Sequence, residues 1–313
     1  MDVREAIRRL IDGEDIARAD MRAVMQLIMT GEASESQIAG FLVALRIKGE
    51  TVDEIAGAAE VMRALATPVE TARDDLVDIV GTGGDSAGSF NISTASAFVV
   101  AAGGGHVAKH GNRSVSSKSG SADVLEALGI NIDLDPAQIA RCIEEVGVGF
   151  MFAPRHHSAM RNAIVPRREL AVRTVFNLLG PLTNPAGARR MLLGVFSADW
   201  VRPIAEVSAA IGGEHVLVVH SLDGMDEISI SAPTQVAEMR AGEVREYRVE
   251  PEEFGLQRAA KAAICVADNT ESASVISRIF AGERGAPRDI VQLNAGASST
   301  AANRPGAWPR SPR

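Results

Sequence analysis

A glycine-rich segment, DIVGTGGDSAGSFNIST at residues 78–94, follows an apolar run and precedes a stretch rich in Ala, Ser and Val. A glycine loop between a buried strand and a helix leaves free backbone N–H groups at a helix N-terminus, where anions bind. Without Cβ atoms, a phosphate can come within hydrogen-bonding distance of the main chain. GTGGD at 81–85 matches neither the GxGxxG pattern nor a Walker loop. The segment therefore predicts either an anion-binding loop or a tight strand-to-helix turn.

A second polar segment, KHGNRSVSSKSGS at residues 109–121, holds three cations, five serines and two glycines but no carboxylate. Alone, such a segment is also compatible with a solvated loop. Both segments follow predicted strands of an α/β sheet, and loops at the carboxyl ends of such strands converge on the crevice where ligands bind. Together they predict a pocket for a heavily phosphorylated small molecule.

A third segment, LDGMDEIS at residues 222–229, places Asp226 next to Glu227 beyond an apolar strand. Adjacent carboxylates repel each other unless they are solvated or share a cation. Mg²⁺ usually takes one or two carboxylates together with substrate phosphates. The pair therefore indicates either a magnesium site or a solvated acidic turn.

The run from His156 to Pro185 is rich in cations, with arginines at 161, 167, 168 and 173. Each of them could face water, and His156 and His157 are too few and too close in sequence to form a metal site. An arginine that faces a pocket, however, can grip a carboxylate with two parallel hydrogen bonds.

Composition restricts the possible partners and compartments. The chain has 313 residues, 46% of them hydrophobic but only 4% aromatic, and a formal net charge of −8. A chain with net negative charge repels nucleic acid and anionic lipid, so we expect neither as a partner. Cys142 and Cys265 show no metal-type spacing and are expected to be free thiols of a cytoplasmic protein. The longest apolar stretch, at 95–108, is too short to span a bilayer, so we expect a soluble protein.

Residues 1 to about 65 are predicted to be helical throughout. Apolar residues recur at helical spacing, and two capping boxes, Ser34 to Gln37 and Thr51 to Glu54, mark new helix starts. Short helices with short connections indicate a small bundle, and we assign residues 1–66 to an N-terminal helical domain.

From residue 67 onward, predicted strands alternate with helices, which favours a mostly parallel sheet covered on both faces. The predicted elements are strands at 76–80, 106–109, 148–152 and 215–220, helices at 121–128 and after the Asp135 N-cap, and a hairpin at 238–249. The fold class is α/β, with a larger α/β domain at 67–293. Residues 155–182 are strongly helical, so the chain is expected to return to the bundle around 160–185. Residues 294–313 lose periodicity and predict a disordered or aberrant tail.

Six separated motifs make the chain resemble the anthranilate phosphoribosyltransferases of tryptophan biosynthesis. They occur in the family's order and spacing from about residue 3 to residue 293. The motifs are GTGGD at 81–85, FNIST at 90–94, KHGNRSVSS at 109–117, SGSADVLEALG at 119–129, FNLLGPLTNP at 176–185 and DGMDE at 223–227.

The resemblance implies a nucleoside phosphorylase/phosphoribosyltransferase C-like fold and a homodimer formed through the helical domain. The substrates, phosphoribosyl pyrophosphate and anthranilate, would lie between the two domains, with Mg²⁺ as cofactor. The alternatives are a pyrimidine-type nucleoside phosphorylase, which shares the two-domain plan, and a catalytically silent relative that binds nucleic acid.

The resemblance also assigns site residues. Gly81, Asn112 and Arg167 would contact anthranilate, and Ser93, Asp226 and Glu227 would hold the metal. His110 is the nearest candidate base, but no acid or base is assigned, and catalysis by positioning and electrostatics is expected. The phosphoribosyl donor would lie on the two polar segments, at Gly81, Gly84, Asp85, Ser89, Asn91, Ile92, Ser93, Thr94, Lys109, His110, Gly111, Asn112, Arg113, Ser114, Val115, Ser116, Ser117 and Ser121.

The chain departs from the family pattern at Ser86 (usually Gly), at Ser89 (usually Thr) and at Pro166, where a β-branched residue is common. After DIVQLNAG the family continues into apolar helices, whereas this chain continues as ASSTAANRPGAWPRSPR, like a shifted or truncated frame. From this we expect an uncovered apolar face and reduced stability with the site intact.

Overall fold

The computed structural model describes residues 1–85, 87–113 and 119–302. Its N-terminal part is a bundle in which α2 packs on α4 and α1 packs on α3. Both predicted capping boxes are present, at Ser34 of α3 and Thr51 of α4. The bundle core is fully buried and includes Met21, Met25 and Phe41. The helices are α1 Val3–Ile11, α2 Arg18–Thr30, α3 Glu35–Lys48 and α4 Val52–Ala64.

A seven-stranded sheet forms the second part, in the order β3-β2-β1-β4-β5-β6-β7. The first five strands in this order are parallel, and β6 and β7 are antiparallel. From β1 the chain proceeds outward through β2 and β3, and then returns to place β4 on the other side of β1. Ligands of α/β sheets usually bind near such a reversal of strand order, at the carboxyl ends of the strands. The strands are β1 Leu76–Gly81, β2 His106–Gly111, β3 Val148–Phe152, β4 Arg190–Gly194, β5 His215–Ser221, β6 Thr234–Arg240 and β7 Glu243–Val249.

Helices cover both faces of the sheet. On one face α5 packs on α13, and both contact β1; on the other, α11 contacts β5, β6 and α4 of the bundle. Along β4 the side chains alternate accordingly, with Leu192 in the core beside α13 and Met191 and Leu193 in the core shared with the bundle. The helices are α5 Ile92–Ala102, α6 Ser121–Ala127, α7 Pro136–Val146, α11 Val201–Ala210, α12 Asn269–Phe280 and α13 Ala286–Ala301.

The segment predicted to be helical over 155–182 is broken into several short pieces. It comprises α8 Ala153–His156, α9 Arg161–Leu170 and α10 Phe176–Leu179, with 3₁₀ turns before α9 and after α10. The breaks have local causes, since Ala171 takes a left-handed conformation (φ 51°) and Pro181 follows α10. Between the breaks, α9 packs on α2 and α3.

The prediction of a disordered tail from residue 294 is wrong over residues 294–301, which continue helix α13 to Ala301. The reason is composition, because alanine is the strongest helix former and the small residues let another helix approach closely. Ala295, Ala297 and Ala301 are buried in the core that α13 shares with α5. The rest of the tail, 303–313, lies outside the described residues. Of the helices that the structure describes, none has the length and apolar character needed to cross a membrane.

Candidate active site

A cleft of about 580 Å³ opens at the carboxyl ends of β1 and β2. Its volume is typical of a site for a small molecule. Of the predicted site residues that the structure describes, all but Thr94 line it; Thr94 is buried in the first turn of α5. Ser114, Val115, Ser116 and Ser117 lie outside the described residues. The predicted residues that line the cleft are Gly81, Gly84, Asp85, Ser89, Asn91, Ile92, Ser93, Lys109, His110, Gly111, Asn112, Arg113, Ser121, Arg167, Asp226 and Glu227.

The glycine loop after β1 is fastened to the acidic pair. Gly83 and Gly84 have positive φ angles of 67° and 76°, which favour glycine. The Gly83 N–H donates to Asp226 Oδ2 at 2.8 Å. A Cβ on Gly81 would lie 2.5 Å from the same oxygen. Glycine at these positions therefore lets a carboxylate, and a ligand beside it, approach the main chain closely.

Asn91 joins the two polar segments. Its Oδ1 caps α5 by accepting from the Thr94 N–H at 2.9 Å, and its Nδ2 donates to the Ser119 carbonyl at 2.8 Å. Ser272 of α12 accepts from the Asn91 N–H at 3.0 Å and from the Ser119 hydroxyl at 2.7 Å. The N-terminus of α5 and the end of the 109–121 segment are thus held together beside the cleft.

Lys109 brings a buried cation to the cleft. Its Nζ donates to the Ile79 carbonyl at 2.6 Å and to Ser93 Oγ at 3.1 Å. Burial lowers the pKa of this amine, while the charges of Asp78 and Glu227 act to raise it. Burial also raises the pKa of Asp78 to about 6, and Asn184 donates to its Oδ2 at 2.6 Å. The hydrogen-bonded carboxylate of Asp78 therefore helps to keep the Lys109 amine charged.

Asp226 and Glu227 lie beside Asp85 in crowded surroundings. Burial and then the charge of Asp85 raise the pKa of Asp226 to about 7. Burial and then the charge of Asp226 raise the pKa of Glu227 well above its usual value, and the Ser93 N–H opposes this by favouring the carboxylate. A cation between the carboxylates would relieve this repulsion.

The donor set fits Mg²⁺, because two carboxylates and a serine hydroxyl are hard oxygen ligands that leave positions for phosphate oxygens. The described residues contain no group of three or more His, Cys, Asp and Glu side chains arranged to hold a metal by themselves.

The two arginines assigned from the sequence are placed differently. Arg113 pairs with Asp123 at 2.9 Å and with Glu126 at 2.5 Å, so its charge is already balanced. Arg167 lies 5.0 Å from the centre of the Phe176 ring, and burial lowers its pKa. No described carboxylate forms an ion pair with Arg167. It presents an uncompensated cation to the cleft, suited to an anionic group.

Two neutral histidines pack against each other beside the cleft, with the rings of His110 and His157 5.0 Å apart. Burial, and then the neighbouring imidazoles, lower their pKa values to about 3 and about 4. Neither ring is therefore charged at neutral pH, and the Nε2 atom of each is buried without a hydrogen bond among the described residues.

These pKa values predict sensitivity to acid. Below the ordinary histidine pKa of 6.5, His110 binds a proton in the unfolded chain but stays neutral in the folded chain. The free energy of unfolding therefore falls as pH falls below 6.5, and His110 does not affect it above that pH. At pH 5 the cost is about 2 kcal/mol for His110. In urea titrations at pH 7.5 and pH 5, His110→Asn should lose about 2 kcal/mol less stability than the unmodified chain. An unchanged loss would show that the His110 ring is protonated in the folded state.

Several supporting residues were not predicted from the sequence. Ser272 binds Asn91 of the cleft, Asn184 binds the buried Asp78 near Lys109, and Gly194 lies directly beneath the Asp226 carbonyl. A polar residue embedded in an apolar context was the only available signal, as for Asn184 in FNLLGPLTNP.

Comparison with known proteins defines the class. Residues 4–66 match the helical bundle domain of the glycosyl transferase family, and residues 73–309 match its a/b domain. The fold and cleft are therefore those of a glycosyltransferase-family enzyme with two parts.

More similar relatives narrow the class. The anthranilate phosphoribosyltransferase of Thioalkalivibrio sulfidiphilus is 61% identical over 95% of this chain and 88% of its own, and that of Cellvibrio japonicus is 56% identical over the same shares. The crystal structure of anthranilate phosphoribosyltransferase from Thermus thermophilus matches with a TM-score of 0.90 and 47% identity, covering 95% of this chain and 89% of that one. The chain belongs to the anthranilate phosphoribosyltransferase family. The predicted fold class, enzyme class and role in tryptophan biosynthesis are confirmed, and the nucleoside phosphorylase alternative is not favoured.

A more distant structure shares the fold. Anthranilate phosphoribosyltransferase from Saccharomyces cerevisiae, in complex with PRPP and Mg, is 24% identical with a TM-score of 0.87, covering 96% of this chain and 88% of that one.

Proposed function

We propose that this chain transfers the 5-phosphoribosyl group of phosphoribosyl pyrophosphate to the amine of anthranilate, giving N-(5-phosphoribosyl)anthranilate and pyrophosphate. One observation carries the proposal. The glycine loop, the buried Lys109 and the carboxylates of Asp226 and Glu227 meet at a single cleft, and Arg167 lines the same cleft. A donor rich in phosphate and an acceptor that bears a carboxylate need this combination.

The donor would bind between the two polar segments. Backbone N–H groups of the glycine loop and of the start of α5 are suited to its phosphates, with Lys109 supplying a fixed positive charge. Asn91 and Ser119 hold the segments in register through their 2.8 Å hydrogen bond. Arg113 contributes less to this grip than the sequence suggests, because Asp123 and Glu126 already balance its charge.

Asp226 and Glu227, with Ser93, would hold Mg²⁺. Bound there, the ion would neutralise charge on the departing pyrophosphate. Lys109 is directed at the same region, because its Nζ contacts Ser93 Oγ and its pKa responds to the charge of Glu227. These groups are preorganised, so little reorganisation is needed as the negative charge develops.

In the reaction, the bond from the ribose C1 to the pyrophosphate oxygen breaks and a bond from C1 to the anthranilate nitrogen forms. Because C1 becomes cationic, a weakly basic aromatic amine is a sufficient nucleophile once it is held in line. Arg167 would hold the acceptor by its carboxylate. The amine then releases one proton to solvent, and no side chain is assigned as the base. His110, the nearest candidate from the sequence, is neutral at pH 7 but has its Nε2 buried.

A fluorescence assay tests the activity. When the purified chain is incubated with anthranilate, phosphoribosyl pyrophosphate and Mg²⁺, the fluorescence of anthranilate should fall as anthranilate is consumed. Omission of any component should prevent this decrease. Thymidine with inorganic phosphate should yield no thymine. Phosphorolysis of thymidine without consumption of anthranilate would overturn the proposal in favour of a nucleoside phosphorylase.

We also propose a homodimer through the helical bundle and a cytoplasmic location. Ile11 of α1 and Ile47 of α3 are 71% and 81% exposed, although α1 and α3 pack together, so the bundle presents apolar groups to a partner. The cysteines are free, as in reducing compartments. Sedimentation as a monomer at micromolar concentration would exclude the dimer.

A further inference from the structure

The loop that carries the acidic pair is held on both sides of the pair, in addition to the hydrogen bond from Gly83 to Asp226. On the N-terminal side, the Asp223 carboxylate accepts hydrogen bonds from the hydroxyls of Ser221, Ser229 and Ser231. Lys261 donates to the Asp223 carbonyl at 3.1 Å. This contact fixes the beginning of the loop but lies three residues before Asp226.

On the C-terminal side, the contact comes from Asn294 of helix α13. Its Oδ1 accepts from the Ile228 N–H at 3.0 Å, and its Nδ2 donates to the Ile228 carbonyl at 2.9 Å. The second proton of Nδ2 is given to the Ile290 carbonyl at 2.9 Å. Ile228 immediately follows Glu227. The side-chain amide therefore pairs with the main chain as a neighbouring strand would, directly beside the acidic pair.

The contact is shielded from solvent. Asn294 has no exposed surface and Ile228 is 1% exposed, so bulk water does not reach the two backbone groups in the folded chain. Every hydrogen-bonding group of the Asn294 side chain is used. The Asp226 carbonyl rests against Gly194, where a Cβ would lie 1.6 Å away, so the loop has no room to move toward the sheet.

From this geometry we infer that Asn294 is a positioning residue, which holds the Asp226–Glu227 backbone in place and so sets the affinity of the pair for a divalent cation. The inference rests on the proposed function, in which these carboxylates hold Mg²⁺. Two adjacent carboxylates repel each other and, without an anchored backbone, would turn apart. Residues that orient metal ligands typically change metal affinity by about 10- to 100-fold when removed.

The test measures metal binding without turnover. Mn²⁺ is titrated into the full chain in the presence of phosphoribosyl pyrophosphate and without anthranilate, and free Mn²⁺ is followed by electron paramagnetic resonance. Asn294→Ala should weaken Mn²⁺ binding at least about tenfold. In steady-state assays the same variant should raise the Mg²⁺ concentration for half-maximal rate and leave the anthranilate KM unchanged.

Ser298→Ala is the matched control. Ser298 lies one turn further along α13, is also fully buried, and donates only to the Asn294 carbonyl at 2.7 Å. It should bind Mn²⁺ as the unmodified chain does. Asn294→Ser, which keeps a neutral hydroxyl able to donate or accept one hydrogen bond, should give an intermediate loss and serves if the alanine variant does not fold.

The outcomes separate the inference from the proposed function. Asp226→Asn tests the metal site itself: if it binds Mn²⁺ as well as the unmodified chain does, the assigned metal site and the role of Asn294 both fail, and the fluorescence assay decides the proposed function separately. If Asp226→Asn loses Mn²⁺ but the Asn294 variants keep it, the proposed function stands and the role of Asn294 is overturned. An equal loss in Ser298→Ala, or failure of both Asn294 variants to fold, would likewise overturn the inference by showing that Asn294 serves folding alone.

Discussion

Arg167→Ala should raise the KM for anthranilate by about 10- to 150-fold and leave the KM for phosphoribosyl pyrophosphate nearly unchanged. The magnitude is that of one hydrogen-bonded charge contact, about 1.5–3 kcal/mol. The guanidinium lies over the Phe176 ring and is partly buried, which lowers its pKa, yet no described carboxylate neutralises it. Folding has thus already desolvated part of the Arg167 guanidinium, so a carboxylate that binds in the cleft meets a cation without a competing partner.

Arg168 provides the control for this experiment. It is the next residue on the same helix and is exposed to solvent, so Arg168→Ala removes an identical group without touching the cleft. It should leave both KM values within about twofold. Arg167→Lys should recover only part of the loss, because an ammonium cannot form two parallel hydrogen bonds with a carboxylate. Equal increases in both KM values for Arg167→Ala would contradict the assignment and place Arg167 in general support of the cleft.

Local signals were enough to predict the helical bundle and most of the sheet. The capping boxes at Ser34 and Thr51 and the N-cap at Asp135 are confirmed, since an N-cap depends only on residues three positions apart. The hairpin is confirmed as well, with β6 and β7 joined by Ala241 and Gly242 in left-handed conformations (φ 51° and 84°). The turn geometry here is set within four residues and is visible in the sequence.

Elements whose stability comes from distant partners escaped prediction. Strand β4 spans only Arg190–Gly194, and so short an apolar run shows no periodicity that separates strand from helix. It is defined by parallel pairing with β1 and β5, far away in the chain. The ordered chain was predicted to end at residue 293 because small residues blur the apolar stripe of helix α13, although that smallness is what lets the helix pack on α5.

The site divides in the same way. Residues expected to touch ligands fall in motifs at the ends of strands, so parallel topology brings them to one cleft. The residues that support them do so across long separations, as Asn184 does for Asp78, Ser272 for Asn91 and Asn294 for Ile228. No short motif encodes such a contact. The ion pairs of Arg113 could not be predicted from the sequence either, because Asp123 and Glu126 face Arg113 only once helix α6 has formed.

Gly194→Ala should reduce kcat by at least about 100-fold, although residue 194 carries no side chain and has no part in the chemistry. A Cβ at this position would lie 1.6 Å from the Asp226 carbonyl oxygen and 2.5 Å from its carbonyl carbon. Both are backbone atoms, so no side-chain rotation relieves the clash. Gly194 pairs with Gly81 of β1 and Val219 of β5, which hold β4 on both sides. The loop must therefore move, and Asp226 and Glu227 move with it.

The matched control is Gly296→Ala, on helix α13. No atom lies within 4 Å of a Cβ built there, and its backbone is helical, so alanine should be neutral or stabilise the fold by up to about 1 kcal/mol. Thermal melts should show a lower Tm for Gly194→Ala and an equal or higher Tm for Gly296→Ala. Steady-state rates at saturating Mg²⁺ and both substrates then decide the point. If Gly194→Ala keeps kcat within a few-fold, the acidic loop does not rest on β4 as described, and the carboxylates reach the cleft from another position.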